Sequence, residues 1–111
     1  MHRDANKLEM CKRLQGHLFK KSSVLPRYQR RWMFVSSDGT ALCYREKDAD
    51  GSGEGVEKRI PLASVTAIAL ESEAHYQFSL DSTIRGKKYL FRTETRAELE
   101  LWLNGLAELS P

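Results

Sequence analysis

A single change of hydrophobic period near Thr95 constrains this chain more than any other feature. Upstream, apolar residues alternate with polar ones, as in Tyr76, Phe78 and Leu80, and again in Tyr89 and Phe91. That period of two belongs to strands with one buried face. Downstream, Leu99, Trp102, Leu103, Leu106 and Leu109 follow helical spacing, and Thr95 with Glu98 forms a capping box at the start. Seven strand candidates with short connections precede this one amphipathic helix. The expected fold is therefore mainly β: a seven-stranded, bent antiparallel barrel or sandwich, with the helix plugging one open end. Trp102 lies within the apolar stripe and is expected in the core.

The segment 16–34 carries the strongest pattern. It reads as two strands, 15–22 and 27–36, that place Leu18 and Lys20 on one side of the first, and Gln29, Arg31, Met33 and Val35 on one side of the second. Leu18, Met33 and Val35 make one end of that shared face apolar, whereas Lys20 and Arg31 make the other end cationic. A hairpin that is apolar at the bottom and positive at its open end suits a group carrying phosphate. Val24 and Leu25 occupy the connecting loop beside Lys21 and Arg27; they either dip into the apolar part of a membrane or fold back on the rim. Asp38-Gly39 marks a tight hairpin into a third strand bearing Leu42 and Tyr44. Ile60 and Leu62 flank Pro61, which favours an edge strand, and the broken parity of Val65, Ile68 and Leu70 predicts a bulge near Ala67. Ahead of the first strand, Leu8, Cys11 and Leu14 recur every three residues, which suggests a short helix; a frayed tail is the alternative. The expected division is an N-terminal extension, 1–14, and a domain, 15–109.

Charge narrows the function classes. Residues 1–47 hold eleven Lys and Arg against four acidic residues, whereas residues 48–111 hold seven against eleven. The positive charge thus gathers on the opening hairpin, as expected for steering toward an anionic partner, although a solvated basic face fits the same count. No apolar run is long enough to span a bilayer. Cys11 and Cys43 form no C-x-x-C pair and are expected as free thiols in a reducing cytosol. Asp48, Asp50, Ser52 and Gly53 fit the early places of a calcium loop, but Arg59 stands where the closing glutamate belongs, so no metal is expected. His2, His17 and His75 are scattered, and no catalytic motif occurs, so neither an enzyme nor a cofactor is expected. Trp32 and the nearby arginines suit stacking on nucleic acid, yet the basic residues do not continue along the chain, and nucleic acid is not an expected partner.

Four motifs in order resemble a pleckstrin homology (PH) domain. They are Gly16, Leu18 and Lys20 in G-x-L-x-K; Tyr28, Gln29, Arg30, Arg31, Trp32 and Met33 in the second strand; Leu42 and Tyr44 in the third; and Trp102 in the closing helix. The resemblance spans about residues 15–109 and implies the same capped barrel. It also implies that Lys20 and Arg31 hold phosphates with help from Tyr44, while Lys21, Arg27, Arg45, Lys47, Arg85, Lys87 and Lys88 add attraction to an anionic surface, about 1 kcal/mol each. One departure stands out: Gln29 replaces the basic residue usual in tight phosphoinositide binders, which implies modest affinity and favours a smaller headgroup such as phosphatidic acid as a competitor. The expected function is recruitment of a monomeric module to the cytosolic face of a membrane through a phosphoinositide or phosphatidic acid. The alternative is a protein-interaction module that binds a peptide or a small GTPase.

Overall fold

The computed structural model describes residues 2–21, 27–46 and 56–110. Val24, Leu25, Lys47 and the calcium-like positions Asp48, Asp50, Ser52 and Gly53 lie outside the described residues. The chain runs α1 (His2–Arg13), β1 (Gln15–Lys21), β2 (Tyr28–Val35), β3 (Ala41–Glu46), β4 (Val56–Pro61), a 3-10 turn (Leu62–Ser64), β5 (Val65–Ser72), β6 (Gln77–Ser82), β7 (Lys88–Arg92) and α2 (Arg96–Leu109). All seven strands join one sheet in the order β4-β3-β2-β1-β7-β6-β5, and every pairing is antiparallel. The fold is that expected from the sequence, with the N-terminal helix formed. No helix among the described residues is long and apolar enough to cross a membrane.

Alternation explains the core. Leu18, Met33, Leu42, Ile60, Leu80 and Phe91 all point inward and are at most 1% exposed. Each such side chain contributes about 1.5–3 kcal/mol through burial. From α2, Leu99, Trp102, Leu106 and Leu109 close the barrel, while Leu103 is only half-buried. Thr95 caps this helix, its hydroxyl accepting from the Glu98 amide at 3.2 Å. Pro61 is tolerated because β4 is an edge strand, and β5 carries register shifts on both sides of its centre, one of them between Val65 and Ala67.

Two elements differ from expectation. Tyr76 does not continue the β6 alternation: it sits in the β5–β6 turn at φ +55°, with its amide donating to the Glu73 carbonyl at 3.3 Å. The left-handed backbone reverses the chain there, yet the ring still packs against the core. The N-terminal helix begins at His2 and ends before Leu14, whose side chain is fully buried and whose carbonyl accepts from the Val35 amide at 3.1 Å. Helix α1 is thereby tied to the end of the barrel that α2 covers.

The β2–β3 turn is organised by Asp38. Its carboxylate accepts from the Ser36 hydroxyl at 2.6 Å, the Thr40 hydroxyl at 2.6 Å and the Thr40 amide at 3.1 Å, and Gly39 takes φ +73°. These hydrogen bonds, Ser36 foremost, hold the Asp38 pKa down from 3.8 to about 2. A carboxylate depressed by folding contributes stability above its unfolded pKa and loses it as pH falls through its folded one. The stability advantage of the wild type over Asp38→Ala is therefore expected to shrink between pH 4 and pH 2. Denaturant titrations across that range test it; parallel pH profiles for the two proteins would refute it.

Candidate functional site

The register places the C-terminal ends of β1, β3 and β6 at one end of the barrel. The β2–β3 turn and α1 lie at the other end. At the first end the inner face changes from apolar to cationic, because Lys20 follows Leu18 by two residues and Arg31 precedes Met33 by two.

Lys20 is more enclosed than its place near a strand end suggests, at 6% exposed. Its ammonium lies 5.0 Å from the Tyr44 ring centroid and 5.8 Å from that of Tyr89. Aromatic faces offset part of the cost of removing an ammonium from water, and here two rings fix its position within the mouth. Arg31, half-buried, stands across from Leu18 on the neighbouring strand. Its guanidinium donates to Gln29 Oε1 at 2.5 Å and to the Arg30 carbonyl at 3.1 Å. Gln29 itself pairs with Lys20 across the β1–β2 ladder, so the residue that replaces a basic one sits between the two inner cations and tethers one of them.

The remaining candidates divide by position. Lys87 is drawn inward, with its ammonium 4.8 Å from the Tyr89 centroid. Lys21, Arg27 and Arg85 are exposed on the rim, Arg85 at φ +58° within the β6–β7 turn. Lys88 points to the other face and pairs with Glu71 at 3.1 Å. Arg45 also belongs to the outer face, where it lines a groove with Trp32. Thus Lys20, Arg31, Tyr44 and Lys87 come together, and Arg45 and Lys88 do not join them.

Two contributors were missed in the sequence. Tyr89 shares inward parity with Phe91 and floors the mouth beneath both Lys20 and Lys87. Lys58 pairs with Tyr44 across β3–β4 and shares parity with the buried Ile60, which brings a further exposed cation to the same face. The mouth can therefore offer a planar fork, mobile ammonium groups and a phenol to one anion. Among the described residues, no three His, Cys, Asp or Glu side chains gather to hold a metal ion.

Fold and site together define a bent β-barrel, capped by a helix, whose open end presents cations. The sequence profile of the PH domain matches residues 12–111, and the chain belongs to that family. A search of curated proteins finds no match. Among solved structures, the chain is similar to the PH domain from PfAPH, with 22% identity, a TM-score of 0.74, and coverage of 94% of this chain and 88% of that one. It is likewise similar to the human ARAP2 N-terminal PH domain, with 22% identity, TM-score 0.63, and coverage of 86% and 76%. The Slm1 PH domain, solved with inositol-4-phosphate, gives 20% identity, TM-score 0.67, and coverage of 87% and 94%. These likenesses establish the shared fold.

Proposed function

We propose that the cationic mouth binds the phosphate of an anionic phospholipid headgroup, a phosphoinositide or phosphatidic acid, and so brings the chain to the cytosolic surface of a membrane. The observation that carries this reading is the arrangement of Lys20, Arg31 and Tyr44 on adjoining strands, with the Lys20 ammonium held between two rings at the open end. The Slm1 structure with inositol-4-phosphate supports it as a case of this fold taking such a headgroup.

In this mechanism the rim cations Lys21, Arg27 and Arg85 steer the domain toward an anionic leaflet, each adding about 1 kcal/mol near the surface. Lys20, Arg31 and Lys87 then engage phosphate oxygens, and the Tyr44 hydroxyl adds a directional contact. The rim contribution weakens with salt, whereas the partly enclosed inner contacts are screened less.

Liposome co-sedimentation tests the reading. Neutral vesicles are compared with vesicles containing phosphatidic acid, single phosphoinositides or phosphatidylserine at matched total charge. Lys20→Ala or Arg31→Ala is expected to weaken binding by one to two decades, from the loss of a charged contact of about 1.5–3 kcal/mol. Equal binding to every anionic vesicle, unchanged by either substitution, would reduce the mouth to a charged patch. Absence of binding at low salt would overturn the proposal.

A further inference from the structure

A second concave surface lies on the outer side of the barrel, reaching from α1 along β2 and β3. It has a volume of about 630 Å³, and its walls include Leu8, Cys11 and Lys12 from α1, Trp32 and Phe34 from β2, and Arg45 from β3. We propose that this groove docks an acidic peptide segment of a protein partner, one that inserts a bulky apolar side chain and sets carboxylates against Lys12 and Arg45.

Three observations converge on that occupant. Leu8 and Trp32 are 49% and 40% exposed, two of the four large apolar side chains that the described residues leave in solvent, and both line this groove. Exposed apolar side chains gathered in one concavity mark an interaction site, and tryptophan and arginine are the residues most often dominant at such sites. Trp32 is also pre-positioned: the His17 ring packs edge-on against it, with centroids 5.0 Å apart and planes at 76°. A ring already held in place loses little freedom when a partner covers it. Finally, among the described residues that line the groove, the charged ones are Lys12 and Arg45 and none is a carboxylate; Glu57, which stands opposite Arg45 on β4, lies outside that lining. This complementarity selects an acidic segment and rejects a basic one.

The position of the groove makes it independent of the mouth. Ser37 of the β2–β3 turn belongs to its wall together with Leu8 and Cys11, which sets that end of the groove at the end of the barrel opposite the cationic opening. A membrane held by the mouth would leave that end facing the solvent. A second copy of this chain is a poorer occupant, because its net charge is +3.

The test is selection of randomised short peptides displayed on phage against the intact chain, with parallel selections against Trp32→Ala and Arg45→Glu. Enriched peptides are then synthesised and titrated by tryptophan fluorescence. Trp102 is 2% exposed, so a change in emission reports on Trp32. The expected result is enrichment of Asp and Glu around Leu, Phe or Trp, with binding at least about tenfold weaker to either variant and to peptides whose acids are exchanged for lysine. Failure to enrich any peptide over the bare support, or equal enrichment on wild type and variants, would overturn the proposal. So would a groove filled by self-association, seen as a dimer in sedimentation equilibrium that Trp32→Ala abolishes. If Trp32→Ala lowers the unfolding midpoint, Arg45→Glu decides, since that side chain is exposed and supports no core contact.

Discussion

Replacing Gly105 by valine is expected to destabilise the protein by about 2–3 kcal/mol and to make Cys11 reactive while Cys43 stays protected. Gly105 is buried in α2 at its crossing with the N-terminal segment. A Cβ there would lie 2.8 Å from both Leu14 methyls and 2.9 Å from Met10 Sδ, closer than carbon atoms can settle. Leu14 is fully buried and has nowhere to retreat. Alanine is the milder change, since it gains up to about 1 kcal/mol of helix propensity over glycine. Valine adds two further methyls to the same contact. The strain is relieved by moving α1 outward, which uncovers Cys11, whose thiol pKa is raised by burial and which packs against the β2–β3 turn. Denaturant unfolding with timed thiol labelling of the two cysteines checks both parts. If both thiols label in step, the whole barrel yields and α1 is not the mobile element.

Gly105 also shows where reading a sequence stops. Strand alternation placed Leu18, Met33, Leu42, Phe78 and Phe91 in the core, and helical spacing with the Thr95 cap placed Trp102 and Leu106 there. Those signals are local: each needs only its own strand or helix. The role of Gly105 depends on Leu14, far away in sequence, and a glycine inside an apolar stripe carries no mark of what crosses it. Tyr76 failed for a related reason. Its spacing from Phe78 is that of a strand, but the turn that reverses β5 into β6 claims it first at φ +55°. The extent of α1 was equally hidden, because its helical pattern is weak and its docking is supplied by other elements.

In the mouth, parity did most of the sorting. Lys20, Arg31 and Tyr44 are legible as inward neighbours, and the same rule, applied through, reaches Lys58 from Ile60 and Tyr89 from Phe91. It also assigns Arg45 to the outer face, one residue beyond the buried Tyr44. Arg45 and Lys88, expected among the cations that add attraction to an anionic surface, are turned by the pleat away from the inner face of the mouth. Parity says nothing of which rotamer a long side chain takes. The hydrogen bond from Arg31 to Gln29, and the stacking of Lys87 over Tyr89, depend on that choice and left no trace in the spacing.

The Gln29 tether leads to the second large effect: Gln29→Lys is expected to raise affinity for phosphoinositide vesicles by one to two decades, a gain of about 1.5–3 kcal/mol. Gln29 lies opposite Lys20 and holds one arm of Arg31 through its side-chain oxygen at 2.5 Å. Lysine there would release that arm toward a phosphate and add a third cation, beside Lys20 and Arg31, to the inner face of the β1–β2 hairpin. Without an anion the three like charges repel, so the variant should unfold at a lower temperature than wild type. A soluble inositol phosphate should restore the loss, because a ligand that binds only the folded form stabilises it. The gain should be greater for headgroups with several phosphates than for phosphatidic acid, which has one to share. Gln29→Met separates the two causes by releasing Arg31 without adding charge. If methionine tightens binding as much as lysine does, the tether limits affinity; if neither does, the headgroup is held elsewhere and Lys20 and Arg31 serve only the fold.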